Sequence, residues 1–266
     1  MQEKPGVRKK SQQVRNPMKT DGTGGFLSGK GDFLPDKDEF SGRDKTLPDK
    51  DEFSGRSKIL PWTDSNSETG TEAGIKVYGS GRPVRLFAAG LHGEEWKDTT
   101  GILEKIRPPK TGTLVLIPLV SRGEYISTLD PRYYPGLGKE VLRAVEELKP
   151  EIYIELHSYA AENFEKLAGK DRINRAGVPA YSVLEAGVLL GSVSPHIRRK
   201  YFPKEALCLS FEIEKGRAES REFAARMLEV LKEMETRDEF IEHLKKEFPG
   251  QAKKAVEDYR RFYGEI

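Results

Sequence analysis

The sequence predicts an α/β fold: a mixed, mostly parallel sheet with helices on both faces, preceded by a long polar segment. Three observations predict it. From residue 73 onward, short apolar strands alternate with amphipathic stretches, the pattern of helices layered on a largely parallel sheet. Two of the strands, residues 84–89 (VRLFAA) and 113–119 (TLVLIPL), are apolar nearly throughout, as expected of strands buried on both faces. The roughly 190 residues from 73 onward suffice for one domain of this kind.

Taken in order, residues 75–78 (IKVY) alternate and read as a strand, ended by Gly79, Ser80 and Gly81. Residues 84–89 form the second strand. Residues 96–106 read as a helix with Ile102, Leu103 and Ile106 on one side, stopped by Pro108 and Pro109. After the third strand, 113–119, residues 121–136 show no period and read as a loop. Val141, Leu142, Val145 and Leu148 fall at helical spacing and predict a helix over 138–148. Residues 151–157 (EIYIELH), 181–188 and 206–213 (ALCLSFEI) read as three further strands. Residues 219–266 are helical, with breaks near Arg237 and at Pro249 and Gly250.

Residues 1–72 differ in kind. They hold nine Gly, five Pro and few aliphatic residues, with 13 Lys/Arg against 13 Asp/Glu, so they are polar without net charge. Such a segment buries too little apolar surface to offset its ordering entropy, and disorder is expected. Residues 34–43 (LPDKDEFSGR) recur identically at 47–56, and a third start at Leu60, Pro61 and Trp62 keeps the 13-residue period before decaying. A period this short does not match the repeats that stack into solenoids. A duplicated low-complexity tail, or non-native residues from a mis-set start, is preferred to a linear motif displayed twice.

Composition excludes several classes. The net charge of +2 shows no basic face of the kind nucleic acid requires. Cys208 is the single cysteine, so no internal disulfide forms. No apolar run has the length of a membrane span, and the first residues lack the apolar stretch of a signal peptide. A cytoplasmic protein is the expectation; oligomeric state is not legible.

The chemistry gathers at strand ends, where ligands bind in sheets of this class. His92 and Glu95 follow directly on strand 84–89 in the run GLHGEE. Their spacing lets one tight turn aim an imidazole and a carboxylate at one point, and Gly93 permits such a turn. His157 closes the strand EIYIELH. Two His and one Glu commonly hold catalytic zinc, with the fourth position open. Glu155 faces the same side of its strand as His157, where it would orient the imidazole from behind. Glu212 ends the strand ALCLSFEI and is the candidate general base, with Glu214 as the alternative. Glu94 reads as solvated.

With these pieces in order, the chain resembles the zinc carboxypeptidase superfamily, closest to the branch of succinylglutamate desuccinylase and aspartoacylase. Residues 90–95 resemble that branch's GxHGxE zinc motif, and residues 155–159 (ELHSY) its acid-x-His motif. Residues 210–213 (SFEI) resemble the strand of the catalytic glutamate, followed by Lys215 and Arg217 as in the desuccinylases. Residues 129–136 (LDPRYYPG) resemble a degraded DLNRxFPG segment, whose Arg binds the substrate carboxylate. That role falls to Arg132, with Arg122 second; Pro131 stands where the family has Asn. Arg172 also lies in a loop, and the Asn174-Arg175 pair comes after His157 and reads as solvated loop. His196 and His243 are discounted. The resemblance covers about residues 75–216. A compact, uncharacterised archaeal branch of the family has these proportions, and the chain resembles it. The resemblance implies Zn²⁺ on His92, Glu95 and His157, and hydrolysis of an amide bond in an N-acyl-amino acid or peptide bearing a carboxylate. The alternative is an inactive descendant that serves as a binding or assembly module.

Overall fold

The computed structural model describes residues 74–264, and the polar segment with its repeat lies outside the described residues. The chain runs β1 (Lys76–Gly79), β2 (Val84–Ala89), α1 (Trp96–Leu103), β3 (Thr113–Ile117), α2 (Lys139–Leu148) and β4 (Ile152–Tyr159). It continues with α3 (Phe164–Ala168), α4 (Arg172–Ala176), β5 (Ser182–Val183), β6 (Leu189–Ser192), α5 (Pro195–Tyr201) and β7 (Leu207–Glu214). Three helices close it: α6 (Ala218–Leu231), α7 (Arg237–Glu247) and α8 (Pro249–Tyr263).

The seven strands form one mixed sheet in the order β1-β3-β2-β4-β7-β6-β5. The central four, β3, β2, β4 and β7, run parallel. The outer three pairings are antiparallel, so "mostly parallel" describes the centre only. Consecutive side chains of β2 feed opposite faces, as strand geometry requires. Phe87 and Ala89 pack with α1, α6 and α7 through Leu103, Leu228 and Phe240. Leu86 and Ala88 pack with α2 and α5 through Val141, Val145 and Ile197. Each buried Leu, Ile or Phe contributes ~1.5–3 kcal/mol of transfer free energy, and both faces of the central strands are covered.

Several elements depart from expectation for local reasons. The strand expected over 181–188 shrinks to β5, because Ala186 adopts φ 53° in a tight turn closed by the Leu184 N–H donating to the Val188 carbonyl. The chain then re-enters the sheet as β6. α5 begins at Pro195 after Ser194, whose hydroxyl accepts from the His196 N–H; a capping serine and a proline at the first turn are a start signal. The long C-terminal helix divides where expected, with Thr236 capping α7 and Pro249 opening α8. No helix among the described residues is long and apolar enough to cross a membrane.

Candidate metal centre

The carboxyl ends of β2, β4 and β7 lie side by side and open into a cleft of about 590 Å³. The turn after β2 needs two glycines. Gly90 and Gly93 both sit at φ 57°, and a Cβ at Gly90 would meet Leu119 and Trp96 at 3.0 Å. The turn is held from outside: the Gly93 N–H donates to the Glu124 carbonyl at 2.6 Å and the Gly123 N–H to the Gly93 carbonyl at 2.9 Å. It leads straight into α1, with Glu95 as the capping residue and its carbonyl accepting from Thr99. His92 and Glu95 thereby point inward, while Glu94 is exposed and paired with Lys97.

His92, Glu95 and His157 are all buried, and their ligand atoms lie within 4.8 Å of one another. His157 Nδ1 is 3.2 Å from Glu95 Oε2, and His92 Nδ1 is 3.6 Å from the same oxygen. Ligands on a tetrahedral zinc with bonds of about 2.0–2.1 Å stand roughly 3.3 Å apart, and both distances to Glu95 Oε2 are close to that spacing. Burial pulls the His92 imidazole down to about 4, so it is neutral, and its buried Nδ1 has no hydrogen-bond partner. A neutral imidazole with a bare inward nitrogen is what a metal ligand requires. Burial also works against charge on His157, but the Glu95 carboxylate and hydrogen bonds to Glu155 and Glu95 outweigh it and hold the imidazole well above its ordinary value. Burial pushes Glu95 up, and the two histidines more than reverse this, holding it below the usual carboxylate range. The donor set fits zinc.

Behind His157, its Nε2 faces Glu155 Oε2 at 3.3 Å. Register pairs His157 with Glu212 across β4 and β7, so both project to the same face, and Glu212 lines the cleft. Burial pushes the Glu212 carboxyl up to about 7; His157, Arg172 and Lys215 pull against this and Glu95 adds to it. Glu214 is instead paired with Arg217 at 2.9 Å and does not line the cleft.

The expected substrate arginines are elsewhere. Arg132 is bound on both sides of its guanidinium by Asp130, at 3.0 and 2.7 Å, and its side chain is 80% exposed. Arg122 lies over the Trp96 ring at 4.6 Å. Neither lines the cleft. The side chains expected to form a carboxylate clamp are engaged locally, Arg132 with Asp130 and Arg122 with Trp96. Lys166, Arg172, Arg175 and Lys215 line the cleft instead, Arg175 among them although its segment read as solvated loop. Arg172 is half-buried, stacked over Tyr181 at 4.6 Å, and donates to the Pro179 carbonyl at 2.6 Å. Also unforeseen is Tyr125, whose ring meets His92 edge-on at 4.6 Å. His196 is exposed and bonds the Leu129 carbonyl, and His243 sits beside Phe240 on α7; neither lines the cleft.

Residues 80–264 match a family described as an uncharacterized protein conserved in archaea (DUF2119). The chain belongs to this family. It is 38% identical over 179 residues to the uncharacterized protein MJ0501 of Methanocaldococcus jannaschii, covering 64% of this chain and 87% of that one. Two crystal structures of the cell shape determinant protein Csd4 from Helicobacter pylori, one of a variant and one with a tripeptide bound, overlap 33% of the chain. They are 17% and 16% identical with a TM-score of 0.24, and the overlap spans only 28% of the Csd4 chain. A likeness that slight carries no argument. Membership in the archaeal family brings no activity with it, so function rests on the site.

Proposed function

We propose that the chain is a zinc-dependent hydrolase that cleaves an amide bond in an N-acyl-amino acid or peptide carrying a free carboxylate. The observation that carries the reading is the convergence of His92, Glu95 and His157 at metal-ligand spacing beside the buried Glu212. Zinc held by these three would supply a Lewis acid and a water of lowered pKa at the mouth of the cleft. Glu212 takes the proton from the attacking water and hands it to the leaving amine, and a carboxyl held at about 7 suits both transfers. Arg172 receives the substrate carboxylate: its stack on Tyr181 and its bond to Pro179 fix the guanidinium before any ligand arrives. Lys166, Arg175 and Lys215 add positive field to the same wall. The order of ligands and base along parallel strands supports a zinc carboxypeptidase-like architecture.

The test is metal content with and without His92→Ala, and a survey of N-acyl-amino acids and peptides with and without Glu212→Gln. Stoichiometric zinc is expected in the parent protein, together with hydrolysis that Glu212→Gln abolishes. Zinc that survives His92→Ala refutes the ligand set. The position of Arg132 outside the cleft favours one other reading, an inactive fold used as a binding or assembly module. Any hydrolysis dependent on Glu212 eliminates it.

A further inference from the structure

The segment 127–138 contains the arginine expected to bind substrate, yet it sends two adjacent tyrosines in the opposite direction, into the core. Tyr133 is fully buried and Tyr134 nearly so, their rings edge to face at 4.9 Å. The Tyr133 hydroxyl donates to the Leu91 carbonyl at 2.8 Å, in the peptide that leads into His92, and its ring stands perpendicular to the His92 imidazole at 6.1 Å. The Tyr134 hydroxyl donates to Glu155 Oε1 at 2.6 Å. Tyr153, one pleat below Glu155 on the same face of β4, donates to the same oxygen at 2.6 Å. Glu155 Oε2 is left facing His157 Nε2.

We propose that Tyr133 and Tyr134 form a double brace behind the metal centre. Tyr133 fixes the backbone that carries His92, and Tyr134, with Tyr153, fixes Glu155 and through it the ring of His157. The inference rests on the metal-centre reading and deepens it by naming what presets the two histidines. Two hydroxyls donate to one oxygen of Glu155, which orients the carboxyl so that its other oxygen meets His157 Nε2 and Nδ1 turns toward Glu95. Burial pushes all three tyrosine hydroxyls up, out of the ordinary tyrosine range, so they remain donors. The segment's own contacts hold the tyrosines in place. Asp130 accepts from the Arg132 N–H at 2.8 Å as well as from its guanidinium, tying the turn before the tyrosines. Gly138 leaves room for the Tyr133 ring, since a Cβ there would lie 2.6 Å from its Cε1. Arg132 and Gly138 are thereby accounted for as parts of the brace's frame.

The test measures the zinc dissociation constant by competition with a chromophoric chelator, for Glu155→Gln, Tyr134→Phe, Tyr153→Phe, the double tyrosine variant and Tyr133→Phe. Glu155→Gln is expected to weaken zinc about 10–100-fold, as removal of an outer partner of a ligating histidine does. The double tyrosine variant should approach that loss. Within Glu155→Gln, Tyr134→Phe should add less than about twofold, because both act through one carboxylate. Tyr133→Phe acts on His92 and should multiply with Glu155→Gln. Tyr263→Phe, on α8 and bonded to Ser192 at 3.3 Å, should leave affinity unchanged. Folded tyrosine variants that bind zinc like the parent, or Tyr134→Phe and Tyr153→Phe losses undiminished in Glu155→Gln, overturn the brace. If the parent binds no zinc, the metal reading has failed and the brace is read in the metal-free protein by ¹⁵N-histidine NMR. The Nε2 proton of His157 should then be protected from exchange in the parent and exposed in Glu155→Gln and in the double tyrosine variant. Equal protection in all three overturns it.

Discussion

Glu212 links stability to pH in a direction that can be measured without knowing a substrate. Its carboxyl is held at about 7 in the fold, against an ordinary value of 4.5. A raised carboxyl stabilises the folded state while protonated. That contribution is complete below about pH 4.5 and is lost as pH rises through about 7. The difference of about 2.5 pKa units corresponds to roughly 3 kcal/mol at pH 8, and to under about 1 kcal/mol at pH 5. Glu212→Gln removes the titration, leaving an offset that does not vary with pH. In metal-free protein, urea unfolding should therefore show the variant gaining on the parent by about 3 kcal/mol between pH 4 and pH 8. Bound zinc places positive charge beside the carboxylate and should shrink the gain. A stability difference that stays flat with pH would refute the burial argument, and with it the claim that the fold tolerates a costly carboxylate at this position.

Two further outcomes follow from the same contacts. On any substrate the survey finds, Arg172→Met should raise KM roughly 10–100-fold, the size of a lost hydrogen bond to a charged group, whereas Arg132→Met should leave KM unchanged; steady-state kinetics of both variants decides which arginine binds. Arg198 on α5 is buried and donates to the carbonyls of Phe202, Pro203, Lys204 and Ala206 at 2.9–3.4 Å. Arg198→Met should cost about 3 kcal/mol in urea unfolding, and a loss below about 1 kcal/mol would show those carbonyls to be satisfied otherwise.

Strand β2 was legible to the residue because its six side chains are all buried and its end is marked by Gly90. The same run delivers His92 and Glu95, so local sequence carried that half of the candidate centre. His157 and Glu212 were legible as polar groups near the ends of apolar strands, each strand running two residues past its polar group, and the register that sets them side by side came only from the sheet. That Arg172 lines the cleft was not legible, because its place depends on how residues 160–178 fold back over the cleft, which no local period encodes. The position of Arg132 outside the cleft was not legible for the opposite reason. Motif order pointed to this arginine, while Asp130, two residues earlier, is its partner. The tyrosine brace gave only a faint signal, a Tyr-Tyr pair ahead of Gly138 in a segment that otherwise reads as loop.

The pairing of His157 with Glu212 joins two neighbouring central strands, so their separation is set by the hydrogen-bond ladder itself, about 4.8 Å between backbones. Arg172 belongs to the excursion between β4 and β5, which is built from two helices of five residues. The proposed reacting and recognising groups therefore rest on parts of the chain with very different freedom to change. Insertions or replacements across 160–178 can alter what enters the cleft and leave the ladder untouched, whereas a one-residue slip of β7 would turn Glu212 to the other face. Redesign of selectivity belongs in the excursion, and the central strands are the part to leave alone.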